Sequence, residues 1–85
     1  MNNKVLIELI VPDIEQTYSI ALPINKTIGN TIILLNKALR ELNDNKNLFI
    51  NDYNCLYNRH TNTRYNPQVL IKDTDIRNST KLILM

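Results

Sequence analysis

The stretch "NKTIGNTIILLNKALRELND", residues 25–44, sets apolar side chains at Ile28, Ile32, Leu35, Leu39 and Leu42 with Thr31 among them. Asn30, Lys37, Arg40 and Glu41 fall on the opposite side. Steps of three and four are the period of one helix face. Thr27 stands where a hydroxyl caps the first turn. Asn43-Asp44-Asn45 supplies residue types that tolerate the left-handed conformation of helix ends. Ile33 and Leu34 widen the stripe. A stripe this broad must be covered, and no other segment repeats the helical period, so the cover has to be a sheet.

The rest of the chain reads at period two. In "KVLIELIV", placing Lys4 and Glu8 outward sends Val5, Ile7, Leu9 and Val11 inward. Pro12-Asp13 signals a turn. "TYSIAL" then alternates Thr17, Ser19 and Ala21 against Tyr18, Ile20 and Leu22, which makes a hairpin that Pro23 closes. Further on, "NCLYNR" and "RYNP" flank the turn "HTNT" and predict a second hairpin. Asn54, Leu56 and Asn58 share one face there, and Tyr53, Cys55 and Tyr57 share the face expected to meet the core. "NLFI", residues 47–50, reads as a short strand or a tucked loop. "KLILM" ends the chain with Leu82 and Leu84 inward and Lys81, Ile83 and Met85 outward. The order is β, β, α, β, β, β. It predicts an α+β domain with about five strands, one helix across one face, and the last strand central and parallel to the first.

At 85 residues the chain reads as a single domain, 1–85. A domain of this size hides roughly 60–65% of its unfolded surface. Net charge is only +2, and the basic residues run from Lys4 to Lys81 without a stripe. Composition therefore offers nucleic acid no electrostatic footprint. The abundance of Asn and Ile reflects AT-rich codons and points to a bacterial or viral genome. The N-terminus lacks a small-residue cleavage site, and no run approaches the ~20 apolar residues of a membrane span. The expected location is cytoplasmic, which empties the sequons at Asn25 and Asn78 of meaning.

Chemistry is scarce. His60 is the only histidine and lies in a turn, without the further ligands a zinc ion takes. Cys55 is the only cysteine, and five residues along a strand and turn keep it apart from His60. Asp73 and Asp75 flank Thr74, with Asp52 well upstream, in a segment where Asp commonly caps its own backbone. Gly29 is the single glycine, so no glycine-rich phosphate loop can form. No nucleophile, base and orienting group assemble from this set. The expectation is a non-catalytic protein with no catalytic residue, cofactor or metal.

Two stretches carry a resemblance to the ubiquitin-like β-grasp family over nearly the whole chain. "YSIALPINKTIGNTIILL" has that family's order of strand, proline, polar turn, threonine cap and amphipathic helix. "IKDTDIRNSTKLIL" is similar to its ending "LxDxxIxxxxxLxL", with Ile71 and Ile76 as core anchors, Asp73 in a short turn, and Leu82 and Leu84 inward. Ser79 stands where a turn glycine is usual. Within the family the chain resembles the small YukD/EsaB-type proteins associated with bacterial type VII secretion. That resemblance implies a non-conjugated protein-interaction module, an accessory or regulatory part of such a machine.

On the sheet face away from the helix, the strand pattern gathers Leu6, Ile10, Leu56, Ile83 and Met85. Five apolar residues on one sheet face predict a protein-binding patch. Its occupant would be a protein partner, a secretion component among the candidates, or a second copy in a homodimer. A covalent modifier or sulfur carrier needs a Gly-Gly tail, and the ending "STKLILM" has none. A β-grasp RNA-binding domain needs stacking aromatics, for which Tyr53, Tyr57 and Tyr65 with Arg59 and Arg64 are the candidates.

Overall fold

The computed structural model describes residues 3–43 and 53–85. The "NLFI" segment, Asp52 and the Asp44-Asn45 part of the expected helix stop lie outside them. β1 (Lys4–Val11) and β2 (Gln16–Pro23) form the predicted hairpin, antiparallel and in register from Lys4 opposite Pro23 to Val11 opposite Gln16. A 3-10 turn, Pro12–Ile14, joins them, and Glu15 takes a left-handed conformation (φ 53°) to start β2. α1 spans Ile28–Asn43. β3 (Leu56–Asn58) and β4 (Lys81–Leu84) complete a mixed sheet of order β2-β1-β4-β3, with β4 parallel to β1.

Among the described residues the sheet has four strands, not five. The return arm "RYNP" contributes one bridge, Arg64 opposite Tyr57, before it leaves the ladder. Tyr65 turns inward there, and the chain folds into a turn in which Asn66 Oδ1 accepts from the Gln68 N–H at 2.9 Å.

Val5, Ile7, Leu9, Val11, Leu22, Leu82 and Leu84 are buried under the helix face formed by Ile28, Ile32, Leu35 and Leu39. Each such side chain contributes about 1.5–3 kcal/mol by leaving water. Thr27 caps α1, its hydroxyl accepting from the Asn30 N–H at 3.1 Å. The stripe is narrower than expected. Ile33, Leu34 and Leu42 are 65%, 50% and 58% exposed, because a helix lying on a sheet covers little more than the arc centred on Leu35.

The segment after the second hairpin ties the two halves together. Ile71 and Ile76 are core anchors, and a 3-10 turn at Ile71–Asp73 sits between the strands, as the family pattern implied. The Ile28 and Gly29 N–H groups donate to the Val69 and Pro67 carbonyls at 2.9 Å each. A Cβ on Gly29 would lie 3.1 Å from the Pro67 oxygen, so this close approach favours glycine. Ser79 holds φ 73°, the left-handed turn that the missing glycine would normally fill.

Candidate binding surface

The outer face of the sheet is assembled by register. Ile10 on β1 stands beside Ile83 on β4, and Ile83 stands opposite Tyr57 on β3. Thr17 lies beyond Ile10 and Arg64 beyond Tyr57, so a row crosses the sheet in the order Thr17, Ile10, Ile83, Tyr57, Arg64. One step along, Cys55 and Met85 exchange two backbone hydrogen bonds of 3.1 Å, which places them opposite each other on the same face.

Of the five residues expected to form the patch, Ile10, Ile83 and Met85 come together. Leu6, 55% exposed, is on the same face but lies beyond Glu8, about 13 Å along the strand from Ile10. Leu56 is a correction: it is 0% exposed and belongs to the core. Period two fixes which residues share a face, not which face that is. Leu56 pairs with Leu84, which points inward, so Leu56 must point inward too, and Cys55 and Tyr57 take the outer positions. Tyr53 is buried despite sharing their parity, because residues 53–55 precede the strand and need not alternate.

The apolar row has a cationic border. The Arg59 N–H donates to the Lys81 carbonyl at 2.9 Å, bringing Arg59 alongside β4, and Lys81 faces Glu8 across the β1–β4 pair. Glu8, Ile10, Thr17, Arg59, His60 and Lys81 line an open groove of about 710 Å³. A hydrogen bond to the Cys55 side chain, followed by its electrostatic influence, raises the Tyr57 pKa above the ordinary value, while Arg64 opposes the rise. Such a surface offers an apolar centre with hydrogen-bond donors and positive charge along its border.

Two polar clusters hold β3 in place, and sequence reading missed both. Asn36, buried in α1, donates from Nδ2 to the Tyr53 carbonyl at 2.8 Å and accepts the Tyr53 N–H at Oδ1 at 3.0 Å. Asn58, buried at the end of β3, accepts the His60 and Thr61 N–H groups at 2.8 and 3.1 Å and donates to the Tyr65 hydroxyl at 3.0 Å. The Tyr65 hydroxyl in turn donates to Asp75 at 2.6 Å, and the Tyr53 hydroxyl to Asp13 at 2.8 Å. Burial and these carboxylates push both phenols up to about 12. Asp75 is thus a structural acceptor, and His60 is an exposed turn residue. Only Tyr57 of the three candidate stacking tyrosines reaches the sheet surface. Among the described residues, no group of three or more His, Cys, Asp or Glu is placed to hold a metal ion, and no helix is long and apolar enough to cross a membrane.

No protein-family model matches the chain, and no curated protein matches it in sequence. Solved structures do. The chain superposes on part of the MycP5-free ESX-5 inner membrane complex with a TM-score of 0.81 at 9% identity, covering 99% of this chain and 21% of that one. It spans only that fifth of the larger protein. The EccD5 ubiquitin-like domain from Mycobacterium xenopi matches with a TM-score of 0.79 at 12% identity, over 99% and 94% of the two chains. A chain of the toluene 4-monooxygenase HD complex with 4-bromobenzoate gives 0.72 at 4% identity, over 95% of each. Identities this low speak to fold alone. The chain has the ubiquitin-like β-grasp fold.

Proposed function

We propose that this ubiquitin-like β-grasp chain is a non-conjugated protein-interaction module, an accessory component of a bacterial type VII secretion machine acting in the cytoplasm. The observation that carries the reading is the outward row Ile10–Ile83–Tyr57, extended by Cys55 and Met85 and bordered by Arg59, Arg64 and Lys81, with Glu8 the one acid beside Lys81. Apolar side chains aligned on a sheet gain free energy by being covered, and the cationic border selects what covers them. The partner is a protein surface with an apolar centre and carboxylates around it. The secretion assignment is supported by the fold shared with the EccD5 ubiquitin-like domain and with a chain of the ESX-5 type VII secretion complex.

The test is co-purification of the secretion complex from the source bacterium with tagged wild type and with Ile83→Asp. Wild type is expected to retain the complex and Ile83→Asp to lose it, with an unchanged circular dichroism spectrum. Equal retention by both removes the sheet face from the reading. Failure of wild type to retain any secretion component removes the secretion role.

A further inference from the structure

The two edges of the sheet are treated differently. Outside β3, residues 63–65 cover the edge: the Asn58 N–H donates to the Thr63 carbonyl and the Tyr65 N–H to the Leu56 carbonyl, both at 2.9 Å. Outside β2, the backbone groups of Thr17, Ser19 and Ala21 have no partner among the described residues. Natural edge strands are usually short, bulged or charged, which prevents pairing with another chain. β2 has none of these features, and proline, a further such device, stands only at its last residue, Pro23. The strand runs eight residues in unbroken register with β1, and "QTYSIALP" contains no charge.

The direction of its free groups follows from the ladder. The Ile24 N–H donates to the Asn3 carbonyl at 3.0 Å, and the Glu8 N–H donates away from β2 to the Thr80 carbonyl. Antiparallel pairs alternate, so Leu22, Ile20, Tyr18 and Gln16 bond to β1 while Thr17, Ser19 and Ala21 present N–H and C=O to the outside. Pro23 falls on the outward series, so it costs the β1–β2 pair no bond but offers an incoming strand no N–H at that end.

We infer that the chain forms a homodimer by antiparallel pairing of β2 with β2 of a second copy about a dyad at Ser19, joining two four-stranded sheets into one of eight. This register opposes Thr17 to Ala21 twice and Ser19 to itself, so every outward N–H of the strand meets a carbonyl. Between those pairs, Tyr18 of one copy stands opposite Ile20 of the other on the helix side, an aromatic and β-branched pair of the stabilising kind. The other face brings together only Thr, Ser and Ala, and no like charges meet. A slip by two residues would set Ala21 against Glu15, whose left-handed backbone (φ 53°) has already left the strand. A slip the other way would set Thr17 against Pro23, which has no N–H to give, so the edge is fully complementary to itself only with Ser19 at the dyad, which is the argument for a second copy over a foreign strand. The dyad is perpendicular to the sheet, so the two Ile83 side chains face the same side, about 24 Å apart across five strand spacings and about 13 Å apart along the strands, roughly 27 Å in all.

Sedimentation equilibrium and concentration-dependent amide exchange test the dimer on wild type, Ser19→Lys and Ser19→Pro. Ser19→Lys places two cations at the dyad yet faces Glu8 within its own sheet. Ser19→Pro removes the outward donor and spares the bonds to β1, while fixing φ at about −65°. With rising concentration, wild type is expected to reach twice its 9.9 kDa mass, with exchange slowing at Thr17, Ser19 and Ala21. Ser19→Lys is expected to remain monomeric where wild type is dimeric, a loss of at least tenfold in association, and folded Ser19→Pro likewise. If Ser19→Pro does not fold, Ser19→Lys decides. A wild type that stays at 9.9 kDa over its whole soluble range overturns the proposal and leaves the edge to a foreign strand. So does a dimer that survives Ser19→Lys, since another surface must then hold it.

Discussion

Tyr57 and Ile83 stand directly opposite each other across β3 and β4, and both point away from the helix, while their neighbours Leu56 and Leu84 are paired one residue along and fully buried. Adjacent residues of one short strand therefore do opposite jobs. Truncating Leu56 to Ala is expected to cost about 2–5 kcal/mol, as other buried leucines do. Ile83→Asp, half-buried on the outer face of a central strand, is expected to cost less, about 1–2 kcal/mol. Urea unfolding of the two variants measures the difference. Equal losses would place Ile83 in the core and dissolve the proposed surface.

Ser79 carries a second test. Its φ of 73° costs an L-residue about 1–2 kcal/mol, which glycine does not incur. The bond that the turn exists to make, Ser79 N–H to the Leu6 carbonyl at 2.8 Å, belongs to the backbone and survives substitution. Ser79→Gly is expected to raise stability by about 1 kcal/mol after the extra chain entropy of glycine is set against the relief. Ser79→Val is expected to lower it. A fall in the urea midpoint for Ser79→Gly would show that the serine side chain, and not the backbone, stabilises the turn.

These positions mark where sequence reading was sufficient and where it was not. The β1–β2 hairpin, the Thr27 cap, the helix and the inward Leu82 and Leu84 were legible, because each is set by local periodicity or by a single turn residue. The departure at Ser79 was visible as a missing glycine, and the structure shows what backbone it cost. The face of β3 was not legible. Leu56 and Cys55 are both apolar, so alternation could not rank them, and the buried Asn58 hid the phase further. What decides it is the register with β4, a long-range fact. The apolar row was therefore foreseen at Ile10, Ile83 and Met85 and missed at Tyr57 and Cys55. Asn58 was grouped with Leu56 on the face expected outward, and Asn36 drew no notice, since its bonds to the distant Tyr53 backbone leave no local pattern.

Asn36 is the clearer of these two. Its amide makes both available bonds to the Tyr53 backbone and pins the approach to β3 against α1. Asn36→Ala strands a buried N–H and a buried carbonyl, which is expected to cost about 1–3 kcal/mol. Asn36→Leu is expected to recover none of that loss, although leucine is the better helix former and the more apolar, because the orphaned groups belong to Tyr53. Thermal unfolding of the pair checks this. A leucine variant as stable as wild type would mean that water reaches the Tyr53 backbone.

The same burial makes the fold sensitive to alkali. Tyr53 and Tyr65 ionise at about 12 in the folded chain, because burial first and the Asp13 and Asp75 carboxylates next disfavour the phenolate, against a Tyr65 bond from Asn58 that favours it. In the unfolded chain both return to the ordinary 10.0. Between those values the folded state binds more protons than the unfolded one, so stability is intact below pH 10 and is expected to fall as pH rises from 10 toward 12. Removing the ionisable hydroxyls with Tyr53→Phe and Tyr65→Phe lowers stability at neutral pH, where the bonds to Asp13 and Asp75 are lost, and flattens the alkaline slope. Urea midpoints across the window, with tyrosinate absorbance recorded alongside, measure both effects. A double variant that keeps the wild-type slope would assign the alkaline loss to other groups.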